Sequence, residues 1–296
     1  YRKEATGGLD EVQLEAILLR YQKLVEIEKR KQTIIASITE QGVMTDELKA
    51  KIDGCYDLNK LEDIYLPFKP KRRTRATIAK EKGLEPLAVL MMVKSERELE
   101  SAAAKFGDVK EALDGASDIV AEWVSENEKV RDIVRTQFVR GGVLVAKVVK
   151  KKESEGAKFA GYFDYREPLK KVTPNRYLAV CRGENEGVLK VSVEVDGEVV
   201  MDRLMGYYEN NNCCNSYKKA AIKDSYQRLI SPSIENEIRA LTKESSDEKA
   251  IKIFTANLRQ LLLAAPLGGT SLLAIDPGFR TGCKVVCLDK AGDLLI

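Results

Sequence analysis

The chain has 296 residues, of which 44% are hydrophobic and 32% charged, with 49 basic against 46 acidic side chains. This length suits one large domain or two to three ordinary ones, and the composition excludes a disordered or low-complexity chain. The sequence contains no histidine, which excludes Ser-His-Asp and Cys-His nucleophilic sites and HExxH zinc sites. The net charge of +3 neither requires nor excludes nucleic acid as a partner.

Six cysteines and the absence of a long apolar run predict a cytoplasmic protein with reduced thiols. No cysteines form a CxxC pair, and the adjacent Cys213 and Cys214 could form only a strained disulfide. No stretch approaches about 18 uninterrupted apolar residues, so no membrane span is predicted. The chain begins at Tyr1 without a signal-peptide pattern and ends in a predicted strand, so we expect a fragment of a longer protein.

Apolar residues at three- and four-residue steps predict helices over most of the first 140 residues. Ser125 and Glu128 predict a capping box for the last of these helices, and Gly141-Gly142 predicts its end. The predicted helices cover residues 9–38, 45–54, 59–65, 77–92 with a break at Gly83, 109–124 and 128–141.

The pattern becomes mixed after residue 142. Residues 143–149 are β-branched and fit a helix or a strand. The alternating run 188–195 is followed by Asp196-Gly197 and a second apolar run, which predicts a β-hairpin. Helices are predicted to return near Asn215, and Ser231-Pro232 predicts a new helix start. After Gly268-Gly269 the period changes to two, which predicts short strands over 271–275, 283–288 and 293–296 and a domain boundary near 267.

Two basic segments are candidate nucleic-acid contacts, because clustered Lys and Arg attract phosphates independently of sequence. The first comprises Lys69, Lys71, Arg72, Arg73 and Arg75, and two prolines keep it extended. The other interpretation is an exposed linker whose cations pair with nearby helices, for example through Glu62 and Asp63.

The second segment, residues 140–182, has 11 basic and 4 acidic residues. It includes the candidate contacts Lys150, Lys151 and Lys152, which would otherwise be a solvated face. Its aromatic residues could stack on bases, but their spacing favours packing against a core. These aromatic residues are Phe159, Tyr162, Phe163, Tyr165 and Tyr177.

Asp276 is the candidate metal ligand. It follows a predicted strand and precedes Gly278, as carboxylates do in metal-dependent phosphate chemistry. One Asp does not suffice for two-metal chemistry, and the alternative is a turn capped by its own side chain. The sequence therefore predicts no catalytic residues and no cofactor, with Mg²⁺ only if a longer chain supplies further carboxylates.

Several sequence blocks resemble one family. The run from Asp276 to Val285 (DPGFRTGCKV) is similar to the opening of the YqgF domain, an RNase H-like fold related to Holliday-junction resolvases. Residues 61–79 (LEDIYLPFKPKRRTRATIA) and 257–269 (NLRQLLLAAPLGG) resemble segments of Tex, the bacterial transcription accessory family. Shorter blocks at residues 1–10, 162–165, 182–187 and 232–235 match in the same order.

The resemblance implies the fold class and the domains. We expect a mainly α chain, with a multi-helix N-terminal region that contains a β-hairpin, followed by the first strands of an α/β RNase H-like domain. The expected domains are a Tex N-terminal helical region at 1–181, a β-hairpin with central long helices at 182–266, and a truncated YqgF domain at 267–296. The family's helix-hairpin-helix and OB-fold modules have no counterpart in these residues.

The resemblance also implies the function. We expect a non-enzymatic scaffold that binds RNA or DNA and contacts the transcription machinery. The first alternative is a metal-dependent resolvase-type nuclease in the full-length chain, with Asp276 as its first ligand. The second alternative is a helical module that binds only proteins.

Overall fold

The computed structural model describes residues 3–209, 215–265, 268–278 and 282–295. Contacts within the chain group it into two units, Tyr1–Ser245 and Ser246–Ile296, which are described separately. The described residues are mainly helical with a few strands, as the sequence predicts. No helix among them is both long enough and apolar enough to cross a membrane. Cys55, Cys181, Cys283 and Cys287 are free thiols, whereas Cys213 and Cys214 lie outside the described residues.

Three helices form the N-terminal part of the first unit. They are α1 (Glu11–Glu40), α2 (Asp46–Asp53) and α3 (Leu58–Tyr65). Local signals set their ends, because Thr45 accepts a hydrogen bond from the Leu48 amide and Gly54 follows the last turn of α2. The three helices enclose a small hydrophobic cluster, which consists of Ile27, Ile34, Ile38, Ile52, Leu61, Ile64 and Tyr65.

Five helices follow and build a larger hydrophobic cluster. They are α4 (Arg75–Glu81), α5 (Glu85–Val93), α6 (Glu96–Ala103), α7 (Val109–Glu126) and α8 (Glu128–Gly141). Helix α7 lies at the centre of this cluster and packs against α4 and α5. The predicted break at Gly83 is confirmed, since its φ of 75° separates α4 from α5.

The capping box predicted for α8 is wrong. Asn127 is the N-cap, and its side-chain oxygen accepts hydrogen bonds from the amides of Lys129 and Val130. Ser125 lies inside α7 and donates its hydroxyl hydrogen bond to the carbonyl of Glu122. Because α7 continues through Glu126, Ser125 is helical and cannot adopt the extended N-cap conformation.

A three-stranded antiparallel sheet follows α8. Its strands are β1 (Val143–Val148), β2 (Asp164–Pro168) and, after α9 (Pro174–Asn185), β3 (Leu189–Glu194). The order is β2-β1-β3, so β1 is central. This pairing resolves the ambiguous residues 143–149 as a strand, and one face of the sheet packs on the larger cluster through Leu144, Ala146 and Val191.

The β-hairpin predicted at Asp196-Gly197 is wrong. The second apolar run is helical, in α10 (Gly197–Glu209), and β3 pairs with β1 instead. Asp196 accepts hydrogen bonds from the amides of Glu198 (2.9 Å) and Val199 (3.4 Å). The same Asp-Gly pair that suits a tight turn therefore starts a helix here, because Asp is also a favoured N-cap.

The predicted start of a helix at Ser231 matches the first residue of α12, but the predicted N-cap is wrong, because Ser231 has a helical backbone. Helix α11 (Ser216–Asp224) begins where helices were predicted to return, and its N-cap is Asn215. A π-helical segment (Ser225–Ile230) then continues directly into α12 (Ser231–Leu262). A proline inside an α-helix interrupts the i→i−4 hydrogen bonds. The π-helical turn that precedes Pro232 lets the chain pass this residue without ending the helix.

The second unit contains the end of α12 and a two-stranded antiparallel sheet. Strands β4 (Leu272–Gly278) and β5 (Gly282–Leu288) pair with each other. The strand predicted over 293–296 is reduced to one bridge, between Leu288 and Leu294, among the described residues. The predicted domain boundaries at 181/182 and 266/267, and the YqgF assignment, stay predictions.

Candidate nucleic-acid interface

The basic segment 69–75 lies between α3 and α4 and is partly neutralised by neighbouring helices. Lys71 Nζ lies 3.2 Å from Glu122 Oε1 and also pairs with Glu126, both on α7. Arg73 pairs with Glu81 on α4 at 2.8 Å. Lys69, Arg72 and Arg75 form no ion pair within the described residues. Two of the five candidate cations are therefore held by acids of the same fold.

The protonation of this cluster reflects both the ion pairs and burial, which raises the pKa of Glu126 despite its pairing with Lys71. Burial disfavours the charged form of Lys71, but hydrogen bonds and charge from Glu126 and Glu122 outweigh it and raise the pKa of Lys71. Burial likewise opposes ionisation of Glu122, but Lys71 and Lys80 outweigh it and lower the pKa of Glu122. The expected partners Glu62 and Asp63 pair with other residues, Glu62 with Arg30 and Asp63 with Arg131 and Arg135.

The second candidate group, Lys150 to Lys152, forms a turn after β1. The amide of Lys152 donates to the carbonyl of Val149 at 3.0 Å, and the amide of Val149 donates to Val188, next to β3. Lys152 Nζ lies 2.6 Å from Glu155, whereas Lys150 and Lys151 are exposed. Lys151 has a φ of 69° and is the only non-glycine residue with positive φ in the described ranges.

The sheet register adds two lysines that the sequence did not single out. Lys147 on β1 lies directly opposite Lys190 on β3, and both are exposed. We call Lys147, Lys150, Lys151 and Lys190 the lysine cluster. None of these four takes part in an ion pair within the ranges that the structure describes. The fold therefore gathers four cations without an ion-pair partner among the described residues at one end of the sheet, where Asp164 on β2 lies opposite Lys147.

A signal for Lys190 was present in the sequence. The alternation over 188–195 places Lys190, Ser192 and Glu194 on one face, and buries Val191 and Val193. The hairpin predicted for that run pairs residues 188–195 with the residues after Gly197. It therefore does not indicate that β1 is the pairing partner of this strand. Only the pairing of β3 with β1 brings Lys190 to Lys147.

Two local features of the lysine cluster lower the stability of the fold. Like charges directly opposite each other on neighbouring strands destabilise a sheet. A left-handed backbone conformation is unfavourable for a lysine. Surface residues that lower stability are typical of binding sites, where function outweighs local backbone and charge preferences.

The aromatic residues of the segment 140–182 pack against the core, as their spacing predicts. Phe159 and Tyr177 are buried, and Tyr162, Phe163 and Tyr165 are partly buried against the larger cluster. Tyr162 and Tyr165 form an edge-to-face pair with ring centroids 5.2 Å apart. Burial, together with a hydrogen bond to Glu167, raises the pKa of Tyr165 to about 12. These aromatic side chains therefore pack against the core and are not available to stack on bases.

Asp276 lies on β4, opposite Lys284 on β5, and is exposed. Residues 279–281, which follow it in the predicted motif, lie outside the described residues. In the described part of the chain, no group of three or more Cys, Asp or Glu side chains is arranged to hold a metal ion. Asp276 as a metal ligand stays a prediction.

Comparison with protein families places these features in a known context. The family model of the Tex-like protein N-terminal domain matches residues 1–39, and that of the Tex central region matches residues 93–254, more than half of the chain. The chain belongs to the Tex family. The lysine cluster lies inside the matched central region, the segment 69–75 lies between the two matched regions, and Asp276 lies after both.

Relatives align with the whole chain but are longer. Protein YhgF of Escherichia coli is 41% identical, and the Transcriptional accessory protein Tex of Neisseria gonorrhoeae is 39% identical. The human S1 RNA-binding domain-containing protein 1 is 28% identical. All of this chain is covered in each case, against 40%, 41% and 32% of those proteins. The chain thus spans about two fifths of the two bacterial relatives.

Proposed function

We propose that this Tex-family chain binds nucleic acid through phosphate contacts made by the lysine cluster, as part of a bacterial, cytoplasmic transcription accessory protein. Exposed lysines displace counterions from nucleic acid and bind it independently of sequence. The names of two relatives, a transcriptional accessory protein and an S1 RNA-binding domain-containing protein, support a role near RNA and transcription.

The observation that carries the proposal is the placement of Lys147 opposite Lys190, with Lys150 and Lys151 at the end of the same strand. Their charges lack ion-pair partners among the described residues, whereas Lys71, Arg73 and Lys152 are paired. We therefore rank the lysine cluster above the segment 69–75, in which Lys69, Arg72 and Arg75 would supply secondary contacts.

We further propose that the chain acts as a scaffold and not as an enzyme, without a cofactor. Its helices would position the bound nucleic acid relative to the transcription machinery. Chemistry at Asp276 would require further carboxylates from elsewhere in a longer protein.

The proposal is tested by fluorescence anisotropy with labelled duplex DNA and single-stranded RNA between about 50 and 200 mM salt. The test variant is the double substitution Lys147→Ala/Lys190→Ala. The control is Lys49→Ala/Lys60→Ala, which removes the same charge from exposed positions on α2 and α3. We expect the test variant to lose roughly two units of the slope of log K against log salt, and the control to behave as the wild type.

Absence of binding by the wild type at 50 mM salt would refute the proposal, as would equal effects of the two variants. A salt-independent affinity for a polymerase subunit, without nucleic-acid binding, would instead select the protein-interaction alternative. The variant Lys69→Ala/Arg72→Ala measures the contribution of the first basic segment.

A further inference from the structure

The sheet face that carries Lys147 and Lys190 is limited by its side chains in the ligands that it can bind. The register of β1 with β2 and β3 identifies the residues that share this face. They are Val143, Val145, Lys147, Asp164, Arg166, Pro168, Lys190, Ser192 and Glu194. This face has three cations, Lys147, Arg166 and Lys190, and two acids, Asp164 and Glu194, and the remaining side chains, of which Val145 is buried, include no aromatic ring.

The aromatic side chains near the sheet are not available for stacking. Tyr165 alternates with Asp164 and Arg166 along β2 and so faces the opposite side, where it packs on the larger cluster beside Tyr162. Proteins that bind single strands without sequence preference stack successive bases on exposed aromatic rings. The lysine cluster lacks such a platform.

Charge is distributed unevenly over this face. Arg166 is engaged by Glu194 at 2.9 Å, in an ion pair that spans the central strand. Asp164 flanks Lys147 on the β2 side, whereas Lys190 flanks it on the β3 side. A polyanion is therefore attracted to β3 and the turn after β1, and is repelled from β2.

We infer that the lysine cluster binds the phosphate backbone of a duplex in preference to a single strand, without reading the bases; this inference rests on the proposed function. A duplex presents one negative charge per about 1.7 Å of its axis, twice the density of one strand. Contacts made by charge alone gain from this density, whereas the stacking that favours a single strand is missing here. Duplex DNA and duplex RNA share this chemistry, so both serve as probes.

The test compares a labelled 20-nucleotide single strand with its own duplex, as DNA and as RNA, over about 50 to 200 mM salt. We expect the duplex to bind at least about fivefold more tightly than the single strand at the lowest salt, since the charge density doubles and no stacking compensates. Four phosphate contacts predict a slope of about −3.6 for B-form DNA. A·T and G·C duplexes should bind equally.

The outcomes separate the inference from the proposed function. Equal or tighter binding of the single strand, still weakened by Lys147→Ala/Lys190→Ala, overturns the inference and leaves the proposed function intact. Binding that is unaffected by this double substitution overturns both. A preference between A·T and G·C duplexes also contradicts the inference, because it requires contacts to base edges or recognition of groove shape, beyond phosphate contacts alone.

Discussion

Asp63 on α3 accepts a hydrogen bond of 2.6 Å from Nη2 of Arg135 on α8, and this pair joins two parts of the protein that have separate hydrophobic clusters. Arg131 donates to the other oxygen of the same carboxylate. Arg135 also donates to Glu237 on α12 at 2.6 Å. The junction between α1–α3 and the larger cluster is thus built on a charged network.

Removal of Asp63 should strongly destabilise the protein. Asp63→Ala leaves Arg131 and Arg135 without their shared carboxylate, and breaking a buried pair from one side costs about 3–5 kcal/mol. Asp132→Ala is the control, because this exposed partner of Arg135 contributes less than about 1 kcal/mol. Urea unfolding measures both, and similar losses for the two variants would contradict the role of the buried network.

Two adjacent glycines should respond to alanine with opposite signs. A Cβ at Gly142 would lie 2.4 Å from the carbonyl oxygen of Phe138 and 3.2 Å from Val193 Cγ1, whereas a Cβ at Gly141 meets no atom within 4 Å. Gly142→Ala should cost about 1–3 kcal/mol of unfolding free energy through steric strain. Gly141→Ala should gain about 0.4–1 kcal/mol, since it lowers the entropy of the unfolded chain. Thermal unfolding of both variants tests this, and a gain at Gly142 would contradict the close approach of Gly142 to Phe138 and Val193.

The contribution of the Asp196 N-cap to the free energy of unfolding should be measurable. Asp196→Ala removes the acceptor for the amides of Glu198 and Val199 and should lower stability by about 1 kcal/mol. Asp196→Asn keeps a side-chain oxygen and should retain most of the stability. If both variants were neutral in urea unfolding, Asp196 would not be the cap of α10.

The ion pair of Lys71 should be visible in the titration of Glu122. The folded pKa of Glu122 is lowered, so its contribution to stability is present above its ordinary pKa of 4.5 and is lost as the pH falls through the folded pKa. Lys71→Ala should raise the pKa of Glu122, because the rise caused by burial is then no longer opposed by the charge and hydrogen bond of Lys71. The variant should therefore be less stable at neutral pH, and the difference should shrink in acid.

Carboxyl NMR of Glu122 and unfolding curves between about pH 2 and 7 check this prediction. Arg72→Ala is the control, since Arg72 is exposed and forms no ion pair within the described residues. An unchanged pKa of Glu122 in Lys71→Ala would mean that Lys71 is free in solution, and would return it to the candidate nucleic-acid contacts.

The lysine cluster should lower stability in the absence of a ligand. Lys190→Thr removes a like charge opposite Lys147 and places a good strand former on β3, so it should stabilise the protein by about 0.2–1 kcal/mol. In a Lys147→Thr background the electrostatic part of this gain should vanish, and a double-mutant cycle measures that coupling. Additive effects of the two substitutions would show that the lysines do not interact.

Local residue patterns were sufficient to place several helix ends and to indicate the family. Thr45, Gly54, Asn215 and Gly142 act within one or two turns of their own helices, so local residue chemistry is sufficient to place them. The two basic segments were also visible as composition. Family membership follows from motifs that recur in order along the chain.

Long-range packing selected among several locally acceptable conformations and ion-pair partners. Asp196 suits a turn or an N-cap, and the pairing of β3 with β1 selects the N-cap. Asp63 could have paired with the basic segment next to it in sequence, but Arg131 and Arg135 reach it from α8. Lys147 and Lys190 are 43 residues apart in sequence and meet only through the sheet register. Such contacts depend on the packing of distant segments, which local propensity and spacing do not encode.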